Sequence, residues 1–191
     1  KKWSKKLAKG KAPDAVNLVK ASWTFSLDRT EEAVVGQNVL GYIPGSDSLL
    51  REELIVITAH YDHVGIIDGE IHNGADDDGS GTVTVLELAQ AFQEAVKAGN
   101  GPKRSVLLMT VVGEEKGLLG SEWYADHPIW PLEQTVANLN IDMIGRVDEA
   151  HPDDDRYVYL IGSDKLSSEL HDISETANAT YTNLALDYTC L

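Results

Sequence analysis

Cysteine, positive charge and long apolar runs are all scarce in this 191-residue sequence. Its one cysteine is Cys190, so no disulfide can form within the chain. Lysine and arginine together number 16 against 31 aspartates and glutamates, which gives a net charge of −15. That charge disfavours a nucleic acid partner, because phosphates require a basic surface. No apolar run approaches the roughly 20 residues of a membrane span, so the sequence predicts no such span.

The composition is otherwise that of an ordinary globular protein, with 42% hydrophobic and 25% charged residues. We expect residues 1–30, which open with the basic run KKWSKKLAKGK, to be a linker or the tail of a preceding module. Residues 31–191 are long enough for one domain with its own core. The final residues, LDYTCL, carry no signal that an element ends, and we expect the chain to be a fragment of a longer protein.

Apolar runs of strand length alternate with stretches of helical periodicity. This pattern predicts an α/β sheet covered on both faces. We expect a three-layer α/β/α sandwich around a mixed, mostly parallel sheet that is incomplete at its C-terminal end. Strands are predicted at 53–60, 105–113, 136–145 and 156–163, with a pair of short strands in 34–45, and helices at 80–99, 119–128 and 165–179.

Three of the predicted strands end in imidazole or carboxyl groups. The first ends at His60, with Asp62 two residues later; the second is followed by Glu114 and Glu115; the third carries Asp142 near its end. Sites in open α/β sheets form at the carboxyl ends of the strands, so we expect these groups to meet. The acidic loop NGADDDGSG, which precedes the first long predicted helix, adds further carboxylates.

Several carboxylates can share one pocket only if their pKa values rise or a cation lies among them. Imidazole together with carboxylate oxygen favours a borderline divalent metal, and zinc above all. A bridging carboxylate among such donors would suit two ions about 3.5–4 Å apart. The sequence therefore predicts a zinc site. Each motif alone has a simpler explanation, such as a helix N-terminus for DDDGSG.

The order AHYDHVG, NGADDDGSG, GEEKGLLGS and NLNIDMIG resembles the zinc aminopeptidase family with co-catalytic metals. That family includes bacterial leucyl aminopeptidases, glutamate carboxypeptidase II and glutaminyl cyclases. The resemblance covers roughly residues 35–165. It implies that His60, Asp77, Glu115 and Asp142 are zinc ligands, with Asp77 bridging two ions in the complete domain.

The resemblance also implies roles beyond metal binding. Glu114 corresponds to the general base that acts on a metal-bridging water, and Asp62 to the acid that orients the histidine ligand. The peptide after the bridging aspartate is often cis in this family, so a cis bond is expected between Asp77 and Asp78.

One family ligand has no counterpart in the sequence. The second zinc is normally completed by a downstream histidine, and neither His151 nor His171 matches that motif. We therefore expect this ligand beyond Leu191. For His63 two roles stay open, a structural one, which we favour, and a place lining the pocket or hydrogen-bonding beside the metal ligands.

The function implied by the resemblance is a zinc-dependent exopeptidase that acts on peptide substrates, and most directly an aminopeptidase. Two alternatives remain at this stage: a glutaminyl cyclase-like acyltransferase with a single zinc, and a non-catalytic binding module of the same fold. Many relatives are exported, so the resemblance further implies an extracytoplasmic location, periplasmic or secreted.

Overall fold

The computed structural model describes residues 9–10, 22, 24–30, 33–152 and 154–189. The chain divides into two units, Lys1–Val34 and Val35–Leu191. In the first unit the described residues form no helix or strand, and residues 24–30 are exposed. Most of the predicted linker lies outside the described residues, so its role stays a prediction.

The strands of the described residues form one four-stranded sheet and two small two-stranded sheets. In chain order they are β1 (Val39–Ile43), β2 (Leu54–His60), β3 (Gly65–Ile67), β4 (Glu70–His72), β5 (Ser105–Val111), β6 (Thr135–Asn140), β7 (Tyr157–Tyr159) and β8 (Ala185–Asp187). The main sheet has the order β1-β5-β2-β6. Strand β2 runs parallel to β5 and β6, and β1 is antiparallel to β5. The predicted mixed, mostly parallel sheet is confirmed.

Four α-helices lie in the described part of the chain. They are α1 (Gly79–Lys97), α2 (Leu119–Asp126), α3 (Ser163–Leu166) and α4 (Ser168–Tyr181), with short 3₁₀ turns at Glu114–Lys116 and Leu132–Gln134. Among the described residues, no helix combines the length and the apolar character needed to cross a bilayer.

The central strands β2 and β5 of the main sheet are buried on both faces, as their apolar sequences predict. On one face, Ile57, Ala59 and Val106 pack with Val85 of α1. On the other face, Leu107 and Met109 pack with Tyr124 of α2 and with Trp130. The two helices therefore lie on opposite sides of the sheet, which confirms the predicted three-layer arrangement.

Two strand predictions need correction. Residues 34–45 contain one strand, β1 (Val39–Ile43), instead of two short strands, because β1 pairs along its whole length with β5 instead of folding back on itself. The hairpin of β3 and β4 was not predicted, although its turn carries a strong signal. Asp68 and Gly69 both have positive φ, 52° and 84°, the conformation that an Asp-Gly turn provides.

Two helix predictions also need correction. Helix α1 begins one residue earlier than Ser80, because the Asp78 side chain caps it by accepting from the Gly81 amide at 3.0 Å. The helix predicted at 165–179 is two helices. Ser167 is extended and separates them, and its hydroxyl accepts from the Leu170 amide at 3.1 Å to cap α4.

Candidate metal centre

The candidate site lies at the carboxyl ends of three parallel strands. His60 is the last residue of β2, Glu114 and Glu115 follow β5, and Asp142 follows β6. In register, His60 is paired with Val111, so the ends of β2 and β5 are level. Parallel pairing therefore brings residues more than 80 positions apart to one edge of the sheet, as predicted from the strand order.

His60 is the most buried of these groups, with a side chain only 3% exposed. Its Nδ1 lies 3.0 Å from the Asp62 carbonyl oxygen. A carbonyl can only accept, so Nδ1 carries the proton and Nε2 presents its lone pair. Nε2 is buried and has no hydrogen-bond partner among the described residues.

Three carboxylates surround this unpartnered nitrogen. From His60 Nε2, Asp77 Oδ1 lies at 3.1 Å, Glu114 Oε2 at 3.8 Å and Asp142 Oδ2 at 3.9 Å. A lone pair facing three anionic oxygens is unfavourable unless a cation or protons lie between them. The arrangement therefore fits a divalent cation.

A second group of donors lies beside the first. His63 Nδ1 is 2.6 Å from Glu115 Oε1 and 3.9 Å from Asp77 Oδ1. His63 Nδ1 and Glu115 Oε1 are both buried and, among the described residues, have no hydrogen-bond partner. The same Asp77 oxygen thus faces both imidazoles, which is the position that a bridging carboxylate requires.

Asp78 lies close to His60 and Asp142, yet its carboxylate is already engaged. It accepts backbone N–H groups from His60 at 3.1 Å, Gly81 at 3.0 Å and Met143 at 3.3 Å. It is only 1% exposed. Asp78 therefore joins the end of β2, the start of α1 and the segment after β6, which leaves Asp77 to face the donors. The peptide bond between Asp77 and Asp78 is cis, as the resemblance implied.

Asp62 contacts two residues of the site, His60 and Glu114. Its Oδ1 accepts the Glu114 amide at 3.1 Å and lies 3.8 Å from His60 Nδ1. The backbone carbonyl oxygen of Asp62 accepts the hydrogen bond from His60 Nδ1, and the Asp62 carboxylate accepts the hydrogen bond from the turn that carries Glu114. Asp62 is thus positioned to orient both residues.

The pKa values of the clustered groups are shifted. Burial is the main cause that raises the pKa of the Glu114 carboxyl; His60 lowers this pKa, and Asp142, Glu115 and Asp62 raise it further. Burial likewise raises the pKa of Asp142, with Asp77 adding to it. Burial lowers the pKa of His60, but its hydrogen bond to the Asp62 carbonyl and the surrounding carboxylates raise it overall. Neighbouring carboxylates thus contribute to all three shifts, and a cation among them would oppose that contribution.

A cavity of about 380 Å³ opens beside His60, Glu114 and Asp142. Its remaining lining is mainly apolar and lies on the α2 side of the main sheet, including Val56, Met109, Val111, Leu118, Tyr124 and Leu132. The donors therefore border a space large enough for part of a peptide, with an apolar wall.

Two further histidines have partners elsewhere. His151 Nε2 lies 2.9 Å from Asp187 Oδ2, and the His151 ring stacks on Tyr157. His171 Nδ1 lies 3.1 Å from the Ser163 hydroxyl. Neither ring belongs to the donor groups found among the described residues. For His63 the sequence favoured a structural role, and the structure places its ring beside Asp77 and Glu115, in a group of side chains that could hold a metal ion.

The model of peptidase family M28 matches residues 38–189. The chain belongs to peptidase family M28. This confirms the predicted family. The predicted motifs, which span residues 35–165 in our estimate, lie almost wholly within the matched range.

Three similar proteins illustrate the range of similarity. The chain is 37% identical over 107 residues to a probable glutamate carboxypeptidase of Arthroderma benhamiae, covering 56% of this chain and 14% of that protein. It is 33% identical over 110 residues to aminopeptidase YwaD of Bacillus subtilis, covering 57% and 22%. Its fold matches an aminopeptidase from Aneurinibacillus sp. strain AM-1 with a TM-score of 0.61 and 22% identity, covering 78% and 34%. The chain thus spans less than a quarter of the length of these two sequence relatives.

Proposed function

We propose that this chain forms the catalytic part of a zinc-dependent exopeptidase, and specifically of an aminopeptidase. The observation that carries the proposal is the Asp77 carboxylate, whose Oδ1 faces His60 Nε2 at 3.1 Å and His63 Nδ1 at 3.9 Å. Membership of peptidase family M28 supports hydrolysis of peptide bonds. Similarity to proteins named as aminopeptidases supports the aminopeptidase activity over other exopeptidase activities.

The proposed cofactor is two zinc ions. His60 and Asp142 would hold one, Glu115 would help to hold the other, and Asp77 would bridge them. The unpartnered nitrogen and oxygen atoms of these side chains fit such ions. When bound, two zinc ions would lower the pKa of the attacking water and polarise the scissile carbonyl.

Glu114 is the proposed general base. Its Oε2 lies 3.8 Å from His60 Nε2 and borders the cavity, within reach of a water held among the donors. The raised pKa of its carboxyl brings it closer to the pH at which a base transfers protons most effectively. It would accept the proton of the attacking water and return it to the leaving amine.

The cavity beside Glu114 is the proposed position of a substrate side chain. Its wall includes Val56, Met109 and Leu132 and favours an apolar residue next to the scissile bond. A leucine substrate should therefore be cleaved faster than a glutamate or lysine substrate with the same leaving group. The acidic net charge of −15 also disfavours acidic substrates.

Two other functions are possible for this fold, and the donor set distinguishes them. A single-zinc cyclase would need only one group of ligands, whereas His63, Asp77 and Glu115 form a second group. A binding module would not need buried nitrogen and oxygen atoms without partners, because each costs about 1–3 kcal/mol.

The proposal is tested on the intact protein by metal analysis and by assays with leucine anilide and glutaminyl peptides. We expect two zinc ions per chain and amide hydrolysis. The variant Glu114→Gln should keep both ions and lose at least about 100-fold in turnover, as expected for loss of general-base catalysis. Full activity of this variant would remove Glu114 from the role. Cyclisation of glutaminyl peptides with one bound zinc would favour the cyclase, and absence of bound zinc would favour the binding module.

An extracytoplasmic location, periplasmic or secreted, is the remaining part of the proposal. It derives from the exported relatives that the sequence motifs resemble. Fractionation of the native host, with activity and antibody detection in each fraction, would test it. Recovery in the cytoplasmic fraction alone would contradict it.

A further inference from the structure

We propose that Asn38 is a positioning residue for Glu114, the proposed general base. Asn38 lies immediately before β1. Within the described part of the chain, it belongs neither to the two donor groups nor to the lining of the cavity. This inference rests on the proposed hydrolase activity and extends it, because Asn38 would act on Glu114 through the backbone of the loop that carries it.

The loop that carries Glu114 and Glu115 connects β5 to α2, and it is closed where Val112 meets Gly120. The Gly120 amide donates to the Val112 carbonyl oxygen at 2.8 Å. The Asn38 side chain binds the other two backbone groups of this pair. Its Oδ1 accepts the Val112 amide at 3.2 Å, and its Nδ2 donates to the Gly120 carbonyl oxygen at 2.7 Å. A carboxamide suits this position because it offers an acceptor and a donor side by side.

The close packing around Asn38 depends on two glycines. A side chain at Gly120 would collide with Asn38 Oδ1 and with the Val112 carbonyl oxygen. A side chain at Gly36 would lie 2.8 Å from a methyl carbon of Val112. Glycine at both positions therefore lets the segment before β1 lie directly against the end of β5 and the first turn of α2.

The backbone that carries Asn38 is itself held in place. The Tyr61 hydroxyl donates to the Gln37 carbonyl oxygen at 2.6 Å, and Tyr61 directly follows the end of β2 at His60. Strand β1, which begins directly after Asn38, pairs with β5. Asn38 therefore lies on backbone that is bonded to two of the strands whose carboxyl ends carry the donors.

Asn38 and Asp62 hold the Glu114 loop at different points. Asp62 Oδ1 accepts the amide of Glu114 itself at 3.1 Å, whereas Asn38 binds the base of the loop. Loss of the Asn38 side chain would remove two hydrogen bonds from that base. Glu114 Oε2, which lies 3.8 Å from His60 Nε2, would then be held less firmly. A displacement of about 1 Å can lower the rate of a catalysed reaction about 100-fold.

The first test compares kcat and KM of the intact zinc-loaded protein for leucine anilide. In Asn38→Ala we expect kcat to fall at least about 10-fold, with KM changed less than about twofold and metal content unchanged, because the group that is displaced acts in the transition state. Asn100→Ala, at an exposed asparagine after α1, is the matched control and should behave as the wild type. A purely structural role of Asn38 would lower stability and leave kcat of the folded protein unchanged.

A double-mutant cycle shows whether Asn38 acts through Glu114. Added to Glu114→Gln, the change Asn38→Ala should lower the residual turnover by less than about twofold, because the group that Asn38 positions is already lost. An equal loss in both backgrounds would overturn the role assigned to Asn38.

Hydrogen exchange of the metal-free intact protein provides a readout that does not depend on activity. The Val112 amide, which donates to Asn38 Oδ1, should exchange faster in Asn38→Ala than in the wild type or in Asn100→Ala. If Asn38→Ala does not fold, Asn38→Asp replaces it, because aspartate has nearly the same size and keeps an acceptor for Val112. Above pH 7 this variant lacks the donor for the Gly120 carbonyl oxygen, so kcat should again fall.

The outcomes separate this inference from the proposed function. Wild-type kcat in a folded Asn38→Ala protein, or unchanged exchange at Val112, would overturn the role of Asn38 and leave the proposed hydrolase intact. The same holds for wild-type kcat in Asn38→Asp when that variant is used. A wild-type protein that binds zinc but hydrolyses no peptide would overturn both proposals.

Discussion

At the scale of single residues, the chemistry of the site depends on which carboxylates already accept hydrogen bonds from backbone N–H groups. Asp78 gives its oxygens to three backbone N–H groups. Asp77 presents Oδ1 to two imidazoles. These adjacent aspartates therefore have different tasks, one anchoring the backbone and the other facing the donors. Uncompensated anions at such distances repel strongly in a buried site, which is the physical reason for expecting a cation there.

Asp62 permits a prediction at this scale. Asp62→Ala removes the carboxylate that accepts the Glu114 amide and lies near His60 Nδ1. We expect metal affinity or turnover to fall about 10- to 100-fold, the usual effect of removing a residue that orients a ligand. Because the Asp62 carbonyl remains, His60 should keep its tautomer and the variant should still bind metal.

The measurement is metal dissociation against a competing chelator, together with kcat and KM for leucine anilide. Asp126→Ala, at an exposed aspartate that ends α2, is the control and should match the wild type. If both quantities are unchanged in Asp62→Ala, the proposed positioning role is excluded.

At the scale of elements, the junction between β2 and α1 holds the site together. Asp78 caps α1 and also binds the amides of His60 and Met143, which belong to two other segments. Gly81 makes this possible, because a side chain there would collide with the Asp78 carboxylate and the Ile141 carbonyl oxygen. One buried carboxylate thus sets the spacing between the strand ends that carry the donors.

This junction makes a testable prediction about stability. Asp78→Ala leaves three backbone N–H groups without their acceptor, and each buried unsatisfied group costs about 1–3 kcal/mol. We expect the free energy of unfolding to fall by about 3 kcal/mol or more. Urea denaturation in the presence of EDTA measures this without a contribution from bound metal.

Ser167→Ala is the control for that experiment. The Ser167 hydroxyl caps α4 through a single N–H, that of Leu170. Its loss should cost about 1 kcal/mol, the ordinary value for a helix cap. Equal losses in the two variants would show that Asp78 acts as a simple cap and not as a junction of three segments.

At the scale of the whole molecule, excess negative charge and metal binding are linked. The chain carries a net charge of −15. Part of this negative charge lies at the carboxyl ends of the sheet strands, in the carboxylates grouped with His60 and His63. Crowded carboxylates destabilise the folded state by repulsion. Bound cations would remove that repulsion, so folding and metal binding should stabilise each other.

We therefore expect zinc to raise the thermal stability of the protein. Free zinc at 100 times its dissociation constant should add about 2.7 kcal/mol for one site, and EDTA should remove this gain. Calorimetric unfolding of the intact protein with zinc and with EDTA measures the difference. His60→Gln should respond much less to zinc, because it lacks the most buried of the proposed ligands. Equal unfolding temperatures with zinc and with EDTA would contradict a metal linked to folding.

The sequence was most informative where local pattern controls structure. The apolar runs that form β2 and β5 are continuous because both faces of these strands are buried, so their strands could be predicted. The hairpin turn at Asp68 and Gly69 was missed even though its residues carry the required signal. The break at Ser167 was missed because the helical periodicity continues through it.

By itself, the sequence determined that strands alternate with helices and that acidic and imidazole groups follow the strand ends, because both are consequences of residue order and short-range periodicity. Only the tertiary structure decided which donor atoms meet. The register between β2, β5 and β6 aligns His60 with groups more than 50 positions away. Three backbone amides occupy Asp78 and leave Asp77 facing both rings. Those contacts depend on pairing between distant segments, which no local pattern of residues encodes.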